Sequence, residues 1–176
     1  MKNFKDKVAV ITGAGSGIGR ALAMELAASG AKLAISDINE AGLKETANNL
    51  NLGEDRLMTK ILDVADRQAF CDFADDVVNH FGQANMIFNN AGVALGATVE
   101  DMNYDDFEWL MNINFWGVVY GTKAFLPYLK QSGEGHIINI SSIFGLVGIP
   151  TQSAYNAAKF AVRGFTESLR IDCLLY

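Results

Sequence analysis

The sequence predicts an α/β fold built on a parallel β-sheet. Short runs rich in β-branched residues alternate with longer stretches compatible with helix, and the first run leads directly into a glycine-rich turn that opens a helix. Such alternation is typical of βαβ units, in which crossover helices cover a parallel sheet. A chain of 176 residues has the size of one domain, so residues 1–176 are predicted to form a single domain.

Five strands and five helices account for the chain. The strands are predicted at KVAVITG (7–13), KLAISDI (32–38), RLMTKILDV (56–64), ANMIFNNAG (84–92) and GHIINISS (135–142). The helices are predicted at 18–29, 40–50, 66–81, 104–130 and 153–173. Asn39 and Asp66 stand where helix N-caps are expected, and Gly30 and Gly82 stand where helices should end.

The composition argues against several classes of protein. Hydrophobic residues make up 50% and charged residues 19%, which is typical of a globular chain and not of a disordered one. The net charge of −6 offers no basic surface for nucleic acid or an anionic membrane. Without a membrane-spanning run or a signal-peptide core, the chain is expected in the cytoplasm. Cys71 and Cys173 match no metal-binding spacing, so we expect free thiols and no metal.

The turn TGAGSGIG follows the first predicted strand and begins the first helix. Gly13, Gly17 and Gly19 allow a tight turn, close approach of the backbone to a diphosphate, and close packing of helix on strand. The helix N-terminus adds N–H groups and a positive dipole end. A nucleotide hydrolase is disfavoured because Arg20, not lysine, follows Gly19, so the turn lacks the GK[ST] of a P-loop.

An acidic residue ends the second predicted strand. Asp37 follows Gly19 by eighteen residues, close to the spacing of the dinucleotide fingerprint. A carboxylate there accepts hydrogen bonds from the adenosine ribose of NAD and repels the extra phosphate of NADP. Ser16 occupies a turn position where a basic residue would favour that phosphate, so NAD is predicted over NADP. The alternative is that Asp37 is a solvated acid at a strand end.

The stretch SAYNAAK places Tyr155 four residues before Lys159 in a predicted helix. Residues four apart share a helix face, so the phenol and the ammonium should meet. A nearby cation favours the phenolate, which can act as a base at neutral pH. The alternative is a half-buried aromatic residue beside a solvated lysine.

Taken together, these motifs resemble one family. TGAGSGIG, the NNAG at 89–92, and Ser142 followed by YxxxK occur in the order found in the classical short-chain dehydrogenases/reductases, over residues 5 to about 170. The resemblance implies a doubly wound parallel sheet, the Rossmann fold, with strand order 3-2-1-4-5. It also implies reversible hydride transfer between NAD(P) and a small alcohol or ketone.

The resemblance also implies a role for each matching residue. Tyr155 is the acid/base, Lys159 binds the nicotinamide ribose and stabilises the phenolate, Ser142 steadies the reacting oxygen, and Asn114 helps to hold a proton-relay water. Asp63 and Val64 match the pair that contacts adenine. The cofactor-binding residues implied in this way are Gly13, Ser16, Gly17, Ile18, Gly19, Asp37, Asp63, Val64, Asn90, Ala91, Gly92, Tyr155 and Lys159.

Two of these assignments have alternatives in the sequence. Neighbouring residues on a strand point to opposite faces, so only one of Ser141 and Ser142 can face the substrate. The interval of thirteen residues to Tyr155 favours Ser142, and Ser141 is expected to make a local backbone hydrogen bond. Asn114 has the alternative of hydrogen-bonding main chain at a helix irregularity. A serine hydrolase is disfavoured because neither serine lies in a GxSxG elbow.

The sequence departs from the family at its C-terminal end. It stops at RIDCLLY, where members of the family continue with two more strands, so the chain is expected to be truncated. The fifth strand would then lie at a sheet edge. The adenosine half of the site should persist, whereas the substrate would lose its lid. A competing function is therefore an NAD-binding fragment or scaffold that associates with another chain and catalyses nothing.

The predicted fourth helix is rich in large apolar residues, including Trp109, Trp116, Tyr120 and Phe125. In the family, the fourth and fifth helices commonly pack against their copies in a dimer. The resemblance therefore implies a homo-oligomer formed through these two helices. The alternative is that the same side chains belong to the core of one chain.

Overall fold

The computed structural model describes residues 3–173. Its five strands are β1 (Val8–Thr12), β2 (Lys32–Asp37), β3 (Leu57–Ile61), β4 (Met86–Asn89) and β5 (His136–Asn139). They form one parallel sheet of order β3-β2-β1-β4-β5, as predicted. The order reverses between β1 and β4, and in such sheets a ligand crevice opens beyond the carboxyl ends of the strands at that point.

In the part of the chain that the structure describes, six α-helices connect or follow the strands. They are α1 (Gly17–Ala28), α2 (Glu40–Leu50), α3 (Arg67–Phe81), α4 (Tyr104–Met111), α5 (Gly117–Gln131) and α6 (Ser153–Asp172). Two predicted N-caps are confirmed: the Asn39 side chain accepts from the Gly42 amide at 3.2 Å, and Asp66 accepts from the Ala69 amide at 3.0 Å. Gly82 ends α3 with a φ of 77°, the left-handed conformation that glycine adopts most readily.

The centre of the sheet is buried on both faces. Alternate residues of β1 point to opposite sides, so Val8 and Val10 join one hydrophobic cluster while Ala9 and Ile11 join another. The first cluster includes side chains of α3 and α5, among them Phe70, Phe73 and Phe125. The second includes side chains of α1, β2 and α2, among them Leu26, Leu33, Ile35 and Leu43. Helices therefore cover the sheet on both sides.

Four predicted elements differ clearly from the observed ones. The predicted helix 104–130 is interrupted by a π-helical segment, Asn112–Trp116, between α4 and α5. A π-turn inserts one residue without changing composition, so the apolar pattern does not reveal it. The predicted strands 56–64, 84–92 and 135–142 were too long, because pairing in β3, β4 and β5 ends at Ile61, Asn89 and Asn139. Ser141 and Ser142 therefore lie in the loop that follows β5.

Three further findings concern residues 3–173. No helix in this range is both long and apolar enough to cross a membrane. No three potential metal ligands from this range lie together. The thiols of Cys71 and Cys173 are free and exposed. Residues 174–176, which belong to the C-terminal CLLY, lie outside the described residues.

Candidate active site

A cavity of about 390 Å³ lies at the crevice beyond the carboxyl ends of β1 and β4. Most of the predicted cofactor-binding residues line it. The lining consists of Gly13, Ser16, Gly17, Ile18, Asp37, Ile38, Leu62, Asp63, Val64, Asn90, Ala91, Gly92, Val93 and Ile113. The fold thus brings the glycine turn, both strand-end acids and the NNAG segment to one cavity.

Three predicted cofactor residues do not line this cavity: Gly19, Tyr155 and Lys159. Gly19 packs instead against the turn, because a Cβ there would collide with the carbonyl oxygen of Gly13. Four apolar lining residues were not predicted, namely Ile38, Leu62, Val93 and Ile113. Ile38 directly follows Asp37 and Leu62 directly precedes Asp63. Their positions beside the two predicted acids are the sequence signal that could have identified them.

The glycine turn leaves room and N–H groups for a ligand. Gly13 has a φ of 67°, and a Cβ there would lie 2.7 Å from the Cα of Ala91. Only glycine therefore lets β1 and the NNAG segment come this close. Ser16, the N-cap residue of α1, makes no side-chain hydrogen bond to the first turn. The N-terminus of α1 thus borders the cavity without a side-chain cap, which suits an anion.

Asp37 is fixed in place at the rim of the cavity. Its Oδ2 accepts from the Gly15 amide at 2.8 Å, and its Oδ1 accepts from the Asn39 amide at 2.8 Å. Each carboxylate oxygen retains a second acceptor position that a ribose hydroxyl could use. The two backbone bonds show that Asp37 is more than a solvated acid at a strand end.

The NNAG segment is joined to the end of β1. The Thr12 hydroxyl oxygen accepts from the amides of Asn90 and Ala91, both at 3.1 Å. The Asn90 side chain donates to the Thr12 carbonyl at 2.9 Å. These bonds hold Ala91 and Gly92 at the cavity wall.

On α6, Tyr155 and Lys159 share a face, as their spacing predicts. The Lys159 Nζ lies 5.6 Å from the centroid of the Tyr155 ring and donates to the Ile140 carbonyl at 3.0 Å. Lys159 is only 4% exposed, so it is not the solvated lysine of the alternative interpretation. Burial lowers the pKa of Lys159, because desolvation disfavours the charged form.

The two serines after β5 have different partners. The Ser141 hydroxyl donates to the Lys159 carbonyl at 3.1 Å, so the prediction of a local bond was wrong: the acceptor is main chain, but on α6. Ser142 accepts from the Phe144 amide at 3.2 Å and begins a short 3₁₀ turn, Ile143–Gly145. The Phe144 ring packs edge-on against Tyr155, with centroids 5.8 Å apart. This contact brings the segment that follows Ser142 against Tyr155.

Asn114 is fully buried in the π-helical segment. Its Oδ1 accepts from the Val93 amide and its Nδ2 donates to the Val93 carbonyl, both at 2.8 Å. This is the main-chain bonding at a helix irregularity that the sequence left open as an alternative. Asn114 Oδ1 and Lys159 Nζ both border Gly92, at 3.1 and 3.7 Å from where a Cβ there would lie. The relay-water role of Asn114 stays a prediction.

Comparison with known proteins identifies the family. The family model described as short chain dehydrogenase matches residues 7–174. The chain belongs to the short-chain dehydrogenase family. A crystal structure of a family member from Burkholderia phymatum in complex with NAD superposes with a TM-score of 0.94 at 38% identity, over 98% of this chain and 62% of that one.

Two curated relatives are also oxidoreductases by name. The chain is 54% identical over 175 residues to a Mycobacterium tuberculosis protein named as the oxidoreductase SadH, covering 99% of this chain and 63% of that protein. It is 39% identical over 174 residues to a "CLA biosynthesis dehydrogenase/reductase" of Lactiplantibacillus plantarum, covering 98% and 60%. The chain thus spans about three-fifths of the length of these relatives.

Because Lys159 is buried, the free energy of unfolding should change with pH in the alkaline range. Its pKa is lower in the folded chain than in the unfolded chain, so the unfolded chain binds more protons between the two values. The free energy of unfolding should therefore rise with pH through that window, up to the ordinary value of 10.5. Urea denaturation at pH 7.5 and pH 9.5 measures the rise. Lys159→Met should show a smaller rise than the wild type, and equal rises in the two proteins would contradict the assignment.

Proposed function

We propose that this chain binds NAD and transfers a hydride between it and an alcohol or carbonyl substrate, acting as one nucleotide-binding domain. The observation that carries the proposal is the buried ammonium of Lys159 beside Tyr155, next to the Gly92 end of the cavity that begins at the glycine turn. A phenol and a cation beside a crevice that begins at a glycine turn together suit proton transfer coupled to redox chemistry.

The residues at the cavity fit a dinucleotide. Asp37, Asp63 and Val64 suit the adenosine half, since they offer carboxylates and an apolar wall. The uncapped N-terminus of α1 suits the diphosphate. Gly92 and Lys159 suit the nicotinamide half, because the Lys159 ammonium keeps donors beyond its bond to Ile140 for a ribose hydroxyl. When bound, the nicotinamide ring accepts or supplies the hydride.

Tyr155 is proposed as the group that moves the proton. During oxidation its phenolate takes the hydroxyl proton of the alcohol, and during reduction its phenol returns a proton to the carbonyl oxygen. Lys159 stabilises the phenolate through its charge. Ser142, held at the start of the 3₁₀ turn, donates a hydrogen bond to the reacting oxygen. Asn114 fixes Val93 beside the cavity and is proposed to support a relay water.

NAD is proposed as the cofactor rather than NADP. The fixed carboxylate of Asp37 stands at the cavity rim, where it would repel a phosphate on the adenosine ribose. Ser16 adds no positive charge to the turn. The NAD found in the Burkholderia phymatum relative is consistent with this preference.

A homo-oligomer is proposed through α4, the π-helical segment, α5 and α6. Trp109 and Trp116 are 46% and 44% exposed, and Phe160 on α6 is 44% exposed. Leu110 and Phe125 on the same helices are fully buried, so the apolar residues there divide between core and surface. Exposed aromatic residues of this size commonly mark an interface.

A cytoplasmic location is also proposed for this chain.

A second candidate function is a chain that binds NAD without catalysing a reaction. It is favoured by the apolar loop after Ser142, where Ile143, Leu146 and Val147 are 62%, 52% and 48% exposed beside the proposed catalytic residues. In an active enzyme such a surface is commonly covered when the substrate is sequestered.

Replacing Tyr155 by Phe distinguishes the two candidates. The substitution removes one hydroxyl, so NADH production should fall by about 10²- to 10⁴-fold, the range typical of a lost acid/base group. NAD affinity should stay within about twofold, because the lost hydroxyl acts on the substrate. Absorbance of NADH with a panel of alcohols measures the first quantity, and calorimetry measures the second. Tyr104→Phe, at a tyrosine 88% exposed on α4, is the matched control.

Two outcomes would contradict the enzymatic proposal. The first is turnover that Tyr155→Phe leaves unchanged. The second is a folded, NAD-binding wild-type chain that oxidises none of the alcohols under conditions in which a full-length relative does. The second outcome would support the binding function.

Asp37→Ala tests the choice of cofactor. NAD affinity should fall about tenfold or more, since the ribose acceptor and the bond to the Gly15 amide are both lost. NADP affinity should fall less, because the substitution also removes a repulsive charge. Calorimetric titration with each cofactor measures the difference, and Asp105→Ala, at an exposed acid on α4, controls for net charge. Equal losses, or none, would refute the preference for NAD.

A further inference from the structure

The glycine turn, residues Gly13–Gly17, accepts backbone hydrogen bonds from two side chains that do not line the cavity. We propose that Arg20 and Thr46 are positioning residues that fix this turn in the shape that receives the dinucleotide diphosphate. Neither side chain lines the cavity, so both act through the turn backbone. The proposal rests on the proposed function only in taking NAD as the ligand.

Arg20 lies in the first turn of α1 and reaches back to the glycine turn. Its Nη2 donates to the Gly15 carbonyl at 2.5 Å, and its Nε donates to the Thr46 hydroxyl at 2.9 Å. A guanidinium is a rigid planar fork, so two such bonds fix its orientation. Arg20 therefore links Gly15 to α2.

Thr46 completes the link from the middle of α2. It is fully buried, and its hydroxyl donates to the Ala14 carbonyl at 2.8 Å while accepting from Arg20. The Gly42 carbonyl is a more distant acceptor at 3.1 Å. A Cβ at Gly42 would lie 2.7 Å from the Gly15 carbonyl oxygen, so glycine there lets α2 approach the turn.

The peptide groups of the turn are thus held at both ends. The Gly15 amide donates to Asp37 at 2.8 Å, while the Gly15 carbonyl accepts from Arg20. The Ala14 amide donates to the Ser36 carbonyl at 3.0 Å, while the Ala14 carbonyl accepts from Thr46. The Gly15 and Ala14 carbonyl oxygens, which would repel a diphosphate, therefore accept hydrogen bonds from side chains that do not line the cavity. A preorganised turn costs less free energy to order when the ligand binds.

The Arg20–Glu45 ion pair provides an internal control. The Arg20 Nη2 lies 2.8 Å from Glu45, whose side chain is 61% exposed. Exposed pairs of this kind contribute little, since water and salt screen them. Removing the charge of Glu45 should leave the bonds of Arg20 to Gly15 and Thr46 in place.

The experiment compares two disruptive and two matched variants. Thr46→Val keeps the shape but loses the hydroxyl, and Arg20→Met keeps much of the length but loses the guanidinium. Each should raise the Kd for NAD about tenfold by calorimetry well below the melting temperature. Thr46→Ser should restore binding, and Glu45→Gln should stay within twofold of the wild type. In turnover, the KM for NAD should rise while kcat at saturating NAD is unchanged.

Amide hydrogen exchange supplies a readout that needs no ligand. Exchange at the Ala14 and Gly15 amides, which donate to Ser36 and Asp37, should become at least tenfold faster in Thr46→Val and Arg20→Met, while exchange in β1 stays as in the wild type. If Thr46→Val does not fold, Arg20→Lys replaces it in the experiment. This variant keeps the charge but loses the guanidinium, so its loss of NAD affinity should lie between those of the wild type and Arg20→Met.

Three results would overturn the proposal: wild-type NAD affinity in both disruptive variants, an equal loss in Glu45→Gln, or unchanged exchange in the turn. If the wild-type chain binds no NAD, the proposed function fails and exchange alone decides the inference. Faster exchange in Thr46→Val and Arg20→Met, restored in Thr46→Ser, would then support it, and unchanged exchange would overturn it.

Discussion

The hydrogen bond from the buried Lys159 ammonium to the Ile140 carbonyl joins α6 to the loop that follows β5. A buried charge needs a partner, so this bond restricts where α6 can lie. The hydroxyl of Ser141, on the same loop, donates back to the Lys159 carbonyl and closes the contact from the other side. Tyr155, one helical turn earlier, is thereby held beside the Lys159 ammonium, which itself borders Gly92.

The site has two halves built by different parts of the fold. The turn after β1, together with β2, α1 and α2, forms the half that suits the adenosine and the diphosphate. The loop after β4, the π-helical segment and α6 form the half in which we propose hydride and proton transfer. Thr12 joins them, because its hydroxyl accepts from the amides of Asn90 and Ala91. The reversal of strand order at β1 and β4 is what brings the glycine turn and the loop after β4 to one crevice.

Features set by short-range pattern could be predicted from the sequence, whereas features set by tertiary contact could not. The caps Asn39 and Asp66 and the shared face of Tyr155 and Lys159 follow from local pattern and spacing, whereas the strand order was implied by the resemblance to the family. The π-helical segment could not be predicted, because one inserted residue leaves composition unchanged. The partner of Ser141 lies on another element, so no local rule indicates it. Arg20 and Thr46 were missed for the same reason: their bonds join α1, α2 and the turn.

A crystal structure of this chain with NAD tests the account most directly. The diphosphate should lie at the N-terminus of α1, and the adenosine ribose should contact Asp37. The nicotinamide ribose should lie within hydrogen-bonding distance of the Lys159 Nζ. The Tyr155 hydroxyl should face the nicotinamide ring. A dinucleotide bound outside this crevice, or a Tyr155 hydroxyl directed away from the ring with Lys159 making no contact to the ribose, would contradict the account.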